Sequence, residues 1–449
     1  MKRPYHTLLL LAISLVVSCQ RSEVYDVVAP DPVDQHFYLP GKACIKVTEE
    51  LSQRLETGEE PAGLAEVGVL KRTFSHGGRF EERMRRSGLH LWYDVEFDSS
   101  TPLTKAGESL MGIPGIEMVE YVPVVRSSES SHFFNDPDLR KQWHYTNAGN
   151  LLTGLVAGCD INVRPAWERG VVGSENVVVA VLDHGVDVNH EDLKDNIWQG
   201  TDPDGNPING YNFVMGNYNI IPEDHGTHVA GTIAAVNNNA IGISGIAGGD
   251  ASKGIKGVRI MSCQTMAGDN GGNEADAFVW AANNGAVIAQ NSWGYLTEDG
   301  SDIGDTPRYV KDAIDYFNEF AGCDENGNQL PDSPMKGGIV VFAAGNESKP
   351  YGYPASYEGC IAVSSLAGDF KAASYTNHGK WVDIAAPGGE SSKMHLVLST
   401  VPGNSYDGYQ GTSMACPHVS GVAALILSEF GGPGFTRDQL IERLLKTAR

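Results

Sequence analysis

Length, composition and charge limit the kinds of protein that this chain can be. Its 449 residues, 41% hydrophobic and 20% charged, suit an ordinary globular protein with one large domain and a smaller one. The net charge of −23 argues against a nucleic-acid partner, because phosphate binding needs a basic face.

The N-terminal residues carry the pattern of an exported protein. Two basic residues precede a short apolar run, which predicts a signal peptide over residues 1–18 rather than a membrane span. Small residues precede Cys19, and this segment resembles the bacterial lipobox, which implies lipidation of Cys19 and a cell-envelope lipoprotein. An ordinary signal peptide that is cleaved nearby is the alternative. The polar residues 19–38 are predicted to form a tether.

A compact pattern of strands and helices occupies residues 39–125. Residues 43–47, 89–97 and 116–125 have the composition of strands, and Pro102 is expected at the first position of a helix. Two β-α-β halves of this size predict a small α+β, ferredoxin-like module.

The pattern changes after a polar, turn-rich boundary that begins near residue 135. Short apolar runs that are mostly β-branched then alternate with helical stretches, at residues 177–182, 286–289, 339–342, 361–363 and 381–385. Such runs are typical of parallel strands that are buried on both faces. They predict an α/β fold with a doubly wound, mostly parallel sheet, in which sites gather beyond the carboxyl ends of the strands.

Three segments carry residues suited to nucleophilic catalysis. Asp183 directly follows a buried strand, where a carboxylate is costly without a partner. His225 opens a segment of small residues that predicts a closely packed helix. Ser413 lies at the start of an almost wholly apolar stretch, which predicts a buried helix whose N-terminal N–H groups suit an oxyanion. A helix-capping serine is the plain alternative at this position.

Together these segments closely resemble the subtilisin family of serine endopeptidases, and their order is the one known for subtilisin itself. The resemblance covers residues 135–449. It implies that Asp183 orients His225, that His225 is the general base, and that Ser413 is the nucleophile of peptide-bond hydrolysis through an acyl-enzyme. It further implies that Asn346, at the end of a predicted strand, donates its amide to the oxyanion, with a simple turn residue as the alternative.

Three further histidines adjoin these segments. His184 follows Asp183, His228 lies one helical turn after His225, and His418 lies five residues after Ser413. One base is sufficient for one nucleophile, so all three are expected to be structural.

The resemblance also implies a substrate pocket. It would be lined by Ser292, Trp293 and Gly294 on one side and by Ala343, Ala344 and Gly345 on the other. Trp293 is bulkier than the residue often found there, and residues 297–336 are a long insertion relative to compact relatives. The primary specificity therefore stays open.

Residues 236–243 resemble the calcium loop of the family, in which backbone carbonyls and an asparagine amide surround a structural Ca²⁺ ion. The resemblance implies ligands from Asp192, Val236, Asn239, Ile241 and Ile243. A turn without an ion is the alternative.

The resemblance assigns residues 39–125 to a propeptide that inhibits the enzyme within the same chain. Residues 126–134 would be the processing linker, and a separate binding module is the alternative for residues 39–125. Since the lipid would lie on the propeptide side, cleavage is expected to release the protease from the membrane.

The mature enzyme is expected to be a monomer that acts on protein or peptide substrates. The alternatives are a processing protease with one partner substrate and an inactive, surface-displayed binding protein. Relatives in the family continue into a final strand beyond the last residue here, Arg449, which leaves the completeness of the catalytic domain open.

Overall fold

The computed structural model describes residues 38–59, 63–64, 70–123, 133–268, 270–295 and 303–448. These residues form two compact units, one that ends at residue 123 and one that begins at residue 133. The predicted signal peptide, the lipidation site at Cys19, almost all of the tether and most of the processing linker lie outside the described residues. The six cysteines within them are all free thiols.

The N-terminal unit is a four-stranded antiparallel sheet with helices between its strands. Its strand order is β2-β3-β1-β4, the order of two interleaved β-α-β units, which confirms the predicted ferredoxin-like module. The elements are β1 (Tyr38–Val47), α1 (Glu49–Glu56), β2 (Leu70–Arg72), α2 (Glu81–Arg86), β3 (Trp92–Glu96), α3 (Leu103–Met111) and β4 (Ile116–Pro123).

Two local predictions in this unit are wrong. The strand expected over residues 89–97 begins only at Trp92, because Gly88 has a φ of 71° and starts a short 3₁₀ turn over Leu89–Leu91. The third helix begins at Leu103, so Pro102 caps the helix and is not its first residue.

The second unit is an α/β domain built on an eight-stranded sheet. The strand order is β12-β11-β5-β13-β14-β15-β16 with β8 beside β11, and every pair is parallel except β11 with β12. This confirms the doubly wound, mostly parallel sheet. The elements are α4 (Arg164–Glu168), β5 (Val178–His184), β6 (Gly200–Thr201), β7 (Pro207–Ile208), β8 (Gly210–Asn212), α5 (Asp224–Ala234), β9 (Gly249–Asp250), β10 (Ile255–Lys256), β11 (Arg259–Ala267), β12 (Asn270–Gly271), α6 (Glu274–Asn283), β13 (Ile288–Asn291), α7 (Arg308–Phe320), β14 (Ile339–Ala343), β15 (Cys360–Leu366), β16 (Ile384–Pro387), β17 (Val397–Val401), β18 (Ser405–Tyr409), α8 (Thr412–Phe430) and α9 (Arg437–Lys446).

The central strand β5 is buried on both faces of the sheet. Val179 and Val181 face the core that contains α5 and α8. Ala180 and Leu182 face the core that contains α6 and α7. Successive side chains of a strand point to opposite faces, so a strand between two helical layers must be apolar throughout. This arrangement brings the carboxyl end of β5, with Asp183, to the edge where functional residues collect.

Strand β11 is the long strand that sequence reasoning missed. It pairs with β5 but carries polar side chains that break the apolar run, and these side chains bond to neighbouring loops. Ser262 Oγ accepts from the backbone N–H of Val186 at 3.2 Å, and Gln264 Oε1 accepts from that of Ile221 at 2.9 Å. The buried polar residues of β11 therefore hold in place the two loops that contain Val186 and Ile221.

Helix α8 is the predicted apolar helix behind Ser413. Its length and composition would allow it to cross a membrane, but 67% of its apolar window is buried inside the protein, as in the core helix of a soluble domain. Pro417 lies within it and has no N–H to offer the carbonyl of Ser413. That carbonyl accepts instead from Ser292 Oγ at 2.9 Å, which ties the start of α8 to the end of β13.

Candidate active site

Asp183 and His225 form the acid-base pair of the site, with the carboxylate buried and the imidazole partly exposed. Asp183 is fully buried near the carboxyl end of β5, and its Oδ1 accepts from Nδ1 of His225, the second residue of α5, at 2.7 Å. Burial alone would raise the pKa of Asp183, but the neighbouring imidazoles hold it below its ordinary value. Burial lowers the pKa of His225, yet the Asp183 carboxylate outweighs this and raises it. The pair therefore keeps an ionised carboxylate on a basic imidazole.

Ser413 is the second residue of α8, and α8 packs against α5. Its Oγ donates to the carbonyl of Ser292 at 3.2 Å. Within the residues that the structure describes, no hydrogen bond joins this oxygen to His225. Hydrogen bonds between catalytic groups are often absent or long before substrate binds. A rotation about one side-chain bond would turn Oγ away from Ser292, as nucleophilic attack requires.

Asn346 follows β14 and is oriented by a residue that sequence reasoning missed. Its Oδ1 accepts from both the backbone N–H and the hydroxyl of Thr412, at 2.8 and 2.9 Å. With Oδ1 held in this way, Nδ2 is the atom left to donate to a ligand. The hydroxyl of Thr412 also accepts from the backbone N–H of Gly345 at 3.1 Å. The only sequence signal for Thr412 was its position directly before Ser413.

The predicted substrate-pocket residues line one cavity of about 130 Å³, together with Asn346 and Ser413. The indole of Trp293 packs against Phe342, with ring centroids 4.9 Å apart, so part of the indole is buried against the core. The predicted lining residues that meet there are Ser292, Trp293, Gly294, Ala343, Ala344 and Gly345, and the additional ones include Ile303, Glu347, Lys349, Tyr351 and Tyr353.

Asn377 organises one wall of this cavity and was not predicted. Its Nδ2 donates to the carbonyls of Ala344 and Tyr351, at 3.0 Å each. Its Oδ1 accepts from the backbone N–H groups of Glu347 and Lys349, at 3.0 and 2.8 Å. An isolated asparagine that bonds mainly to backbone leaves no pattern in the sequence, which is why it was missed.

Two of the three extra histidines are buried away from the acid-base pair, in line with a structural role. His228 Nε2 lies 3.0 Å from the carbonyl of Val397, and His418 Nδ1 lies 2.7 Å from that of Met414. Burial lowers the pKa of His228 to about 3 and that of His418 to about 4, so both stay neutral at pH 7.

The third of them, His184, contacts the acid-base pair directly. Its ring Nδ1 lies 3.2 Å from Asp183 Oδ1, and its ring stands 5.6 Å from that of His225, measured between centroids. The sequence showed that His184 adjoins Asp183, but not that its ring turns back onto the carboxylate.

The five predicted calcium ligands come together around Asp192. This carboxylate is fully buried, and burial raises its pKa to about 7. It accepts from Asn239 Nδ2 at 2.7 Å and from the backbone N–H of Ile243 at 3.0 Å, while the N–H of Val236 donates to its carbonyl at 2.8 Å. Asn239 Oδ1 accepts from the N–H of Ile241 at 2.8 Å.

The residue types around Asp192 are those that hold a cation, but the present hydrogen bonds would have to rearrange to receive one. Across the described parts of the chain, the groups that hydrogen-bond to the Asp192 carboxylate are neutral, namely the amide of Asn239, the N–H of Ile243 and the hydroxyl of Tyr406, and no basic side chain is within ion-pair distance, so its ionised form has no counterion. A half-turn of the Asn239 side chain would place its amide oxygen beside the Asp192 carboxylate, but the same turn breaks the hydrogen bond that this oxygen accepts from the N–H of Ile241, so the loop would have to move as well.

A doubly wound sheet with a carboxylate, a histidine and a helix-terminal serine at its carboxyl edge defines the class of Asp-His-Ser hydrolases. Comparison with known proteins specifies the class further: the sequence profile of the subtilase family matches residues 174–449, more than half of the chain. The chain therefore belongs to the subtilase family.

Individual relatives agree with this membership. The chain is 36% identical over 269 residues to a thermophilic serine proteinase of Bacillus sp. strain AK1, covering 59% of this chain and 55% of that one. It is 32% identical to an extracellular basic protease of Dichelobacter nodosus, covering 73% and 54%. Among solved structures, a protease from Pseudoalteromonas arctica is 30% identical with a TM-score of 0.51, covering 71% and 93%. The chain thus spans little more than half of the length of the first two relatives.

Proposed function

We propose that this chain is a serine endopeptidase that hydrolyses peptide bonds of protein substrates through an acyl-enzyme. The observation that carries the proposal is the 2.7 Å hydrogen bond between Asp183 and His225. Asp183 lies near the end of β5, which pairs with β13, and the chain runs from β13 directly into the cavity lined by Ser413 and Asn346. An acid-base pair, a serine and an amide donor are the set that acyl transfer requires.

The reaction follows from the arrangement of these groups. Ser413 Oγ attacks the substrate carbonyl while His225 Nε2 takes its proton, and His225 then gives that proton to the leaving amine. Asp183 holds the tautomer with a proton on Nδ1 and stabilises the imidazolium. Asn346 Nδ2 and the backbone N–H of Ser413 donate to the oxyanion. Water then attacks the acyl carbonyl while His225 takes its proton. His225 returns that proton to Ser413 Oγ as the carboxylic acid product leaves.

The rival proposal of an inactive binding protein has less support. Such a scaffold has no need for a nucleophile, a base, an orienting carboxylate and an oxyanion donor in one place. The test compares protein hydrolysis by the chain and by its Ser413→Ala variant, and equal rates would overturn the proposal. Cleavage across a broad peptide library would argue against a processing protease with a single substrate.

We also propose that the N-terminal unit is a propeptide and that lipid on Cys19 anchors the unprocessed chain to the cell envelope. The support is a compact unit of four strands before the peptidase domain, and relatives described as extracellular proteases. Processing within residues 126–134 would separate lipid from enzyme. Cell fractionation tests this: the full-length chain should be in the membrane fraction and the mature chain in the soluble fraction. Mature chain that stays with the membrane would contradict release.

We propose that a structural calcium ion binds at the Asp192 loop. The support is the buried Asp192 carboxylate, which has no basic partner among the described residues. Calcium at about one hundred times its Kd should raise the Tm of the Ser413→Ala chain by about 5 °C over a sample in chelator. Asp192→Asn should remove most of this shift, since it removes the charge that the cation neutralises. Asp312→Asn, an exposed position on α7, is the matched control and should keep the shift. Equal melting with calcium and chelator would contradict the proposal.

A further inference from the structure

The carboxylate of Asp183 is shared between two imidazoles. Its Oδ1 lies 2.7 Å from His225 Nδ1 and 3.2 Å from His184 Nδ1, and it also accepts from the backbone N–H of His184 at 2.7 Å. His184 is the last residue of β5, directly after Asp183, so its place beside the carboxylate is set by the end of the central strand. The acid-base pair is therefore a group of three residues.

Each ring nitrogen of His184 faces an acceptor. Nδ1 faces Asp183, while Nε2 lies 3.4 Å from the carbonyl of Gly268 and 3.8 Å from a carboxylate oxygen of Glu223. A neutral imidazole carries one N–H and would leave one nitrogen opposite an acceptor without a proton, whereas the imidazolium has a donor for each. The hydrogen bond to Asp183 accordingly raises the pKa of His184, against the effect of burial.

A charged His184 acts on His225 in two ways. It takes up part of the negative charge with which Asp183 stabilises the His225 imidazolium, and it repels that imidazolium across 5.6 Å between ring centroids. The charged and titratable groups described around His184 are Asp183, Glu223 and His225. Of these, His225 is the one whose protonation stops the reaction.

We propose that His184 is a positioning residue of the catalytic group: by sharing the Asp183 carboxylate, it keeps His225 unprotonated at lower pH and so extends peptidase activity into mildly acidic solution. The inference rests on the proposed peptidase function. It differs from a merely structural role because it moves the pH dependence, not only the rate.

The test is the pH profile of kcat/KM for the chain and for His184→Ser and His184→Gln. Loss of the positive charge should raise the pKa of His225. The acid limb of the profile, which is the pH range in which kcat/KM falls as His225 becomes protonated, should therefore move to higher pH by about 0.5 unit or more. Well below the limb, both variants should be about threefold less active than the parent. His184→Gln retains an N–H donor for Asp183 and should keep the plateau rate more fully than His184→Ser. Raised salt should shrink the shift.

Lys446→Ser is the matched control, because it removes one positive charge from an exposed side chain on α9. Its limb should coincide with that of the parent. An unchanged limb in His184→Ser, with a plateau that is merely lower, would overturn the inference and leave His184 structural.

A second measurement separates this inference from the proposed function. The pKa of His225 can be followed by NMR in the Ser413→Ala chain, with and without His184→Ser, whether or not the parent hydrolyses peptides. A parent without activity would defeat the proposed function alone. A His225 pKa that does not rise when His184 is replaced would defeat the inference alone.

Discussion

Ser413→Ala lowers kcat for peptide hydrolysis by about a millionfold, which is the loss established for the nucleophile of subtilisin itself. Without Oγ there is no acyl-enzyme, and His225 has no hydroxyl to deprotonate. The cavity wall held by Asn377 does not depend on the hydroxyl, and Ser292 retains its hydrogen bond to the backbone carbonyl of Ser413, so KM should change little. Progress curves on an internally quenched peptide measure both constants.

The same variant reports on processing. If the chain cuts its own linker, the parent should show a new N-terminus within residues 126–134, and Ser413→Ala should stay full length. Mass analysis of both chains measures this. Ser428→Ala is the matched control, since its hydroxyl donates to the carbonyl of Ala424 within the same helix and lies outside the described site. Processing that continues in a folded Ser413→Ala chain would show that another protease makes the cut.

The fold could be predicted wherever burial alone decides which residues are allowed. Strands β5 and β14 lie between two helical layers, and only apolar side chains satisfy both faces, so their sequences are continuous apolar runs. Strand β11 is just as buried but satisfies Ser262 and Gln264 with hydrogen bonds from loops distant in sequence. Such a strand cannot be recognised until those loops are in place.

The candidate site divides in the same way. Asp183, His225, Ser413 and Asn346 each lie in a contiguous segment that resembles a known family, so the sequence was enough to name them. Asn377 acts through backbone groups 26 to 33 residues away, and no side-chain pattern records those contacts.

The contact between His184 and Asp183 was hidden for a different reason. Its adjacency to Asp183 is visible in the sequence, but adjacent residues of a regular strand point to opposite faces. The ring can reach the carboxylate only because β5 ends there. The sequence does not predict this contact, because strand periodicity no longer applies at the end of a strand.

Asn346→Leu lowers kcat by about 10²–10³ while KM stays within a few fold, the range established for the asparagine donor of subtilisin. The substrate carbonyl is neutral until Ser413 attacks, so the amide donor contributes mainly when negative charge develops on oxygen. Leucine retains the approximate size of asparagine and removes the donor. Steady-state kinetics at the pH plateau measure the two constants separately.

Two companion variants show whether the donor is the cause. Asn346→Asp retains the shape but replaces the donor with a negative charge near the oxyanion, and should lose at least as much as leucine does. Thr412→Val removes the hydroxyl bond to Asn346 Oδ1 but leaves the backbone one, so it should lose about tenfold. A deficit in KM with kcat intact would place Asn346 in ground-state binding, because an interaction made equally with substrate and transition state does not change kcat.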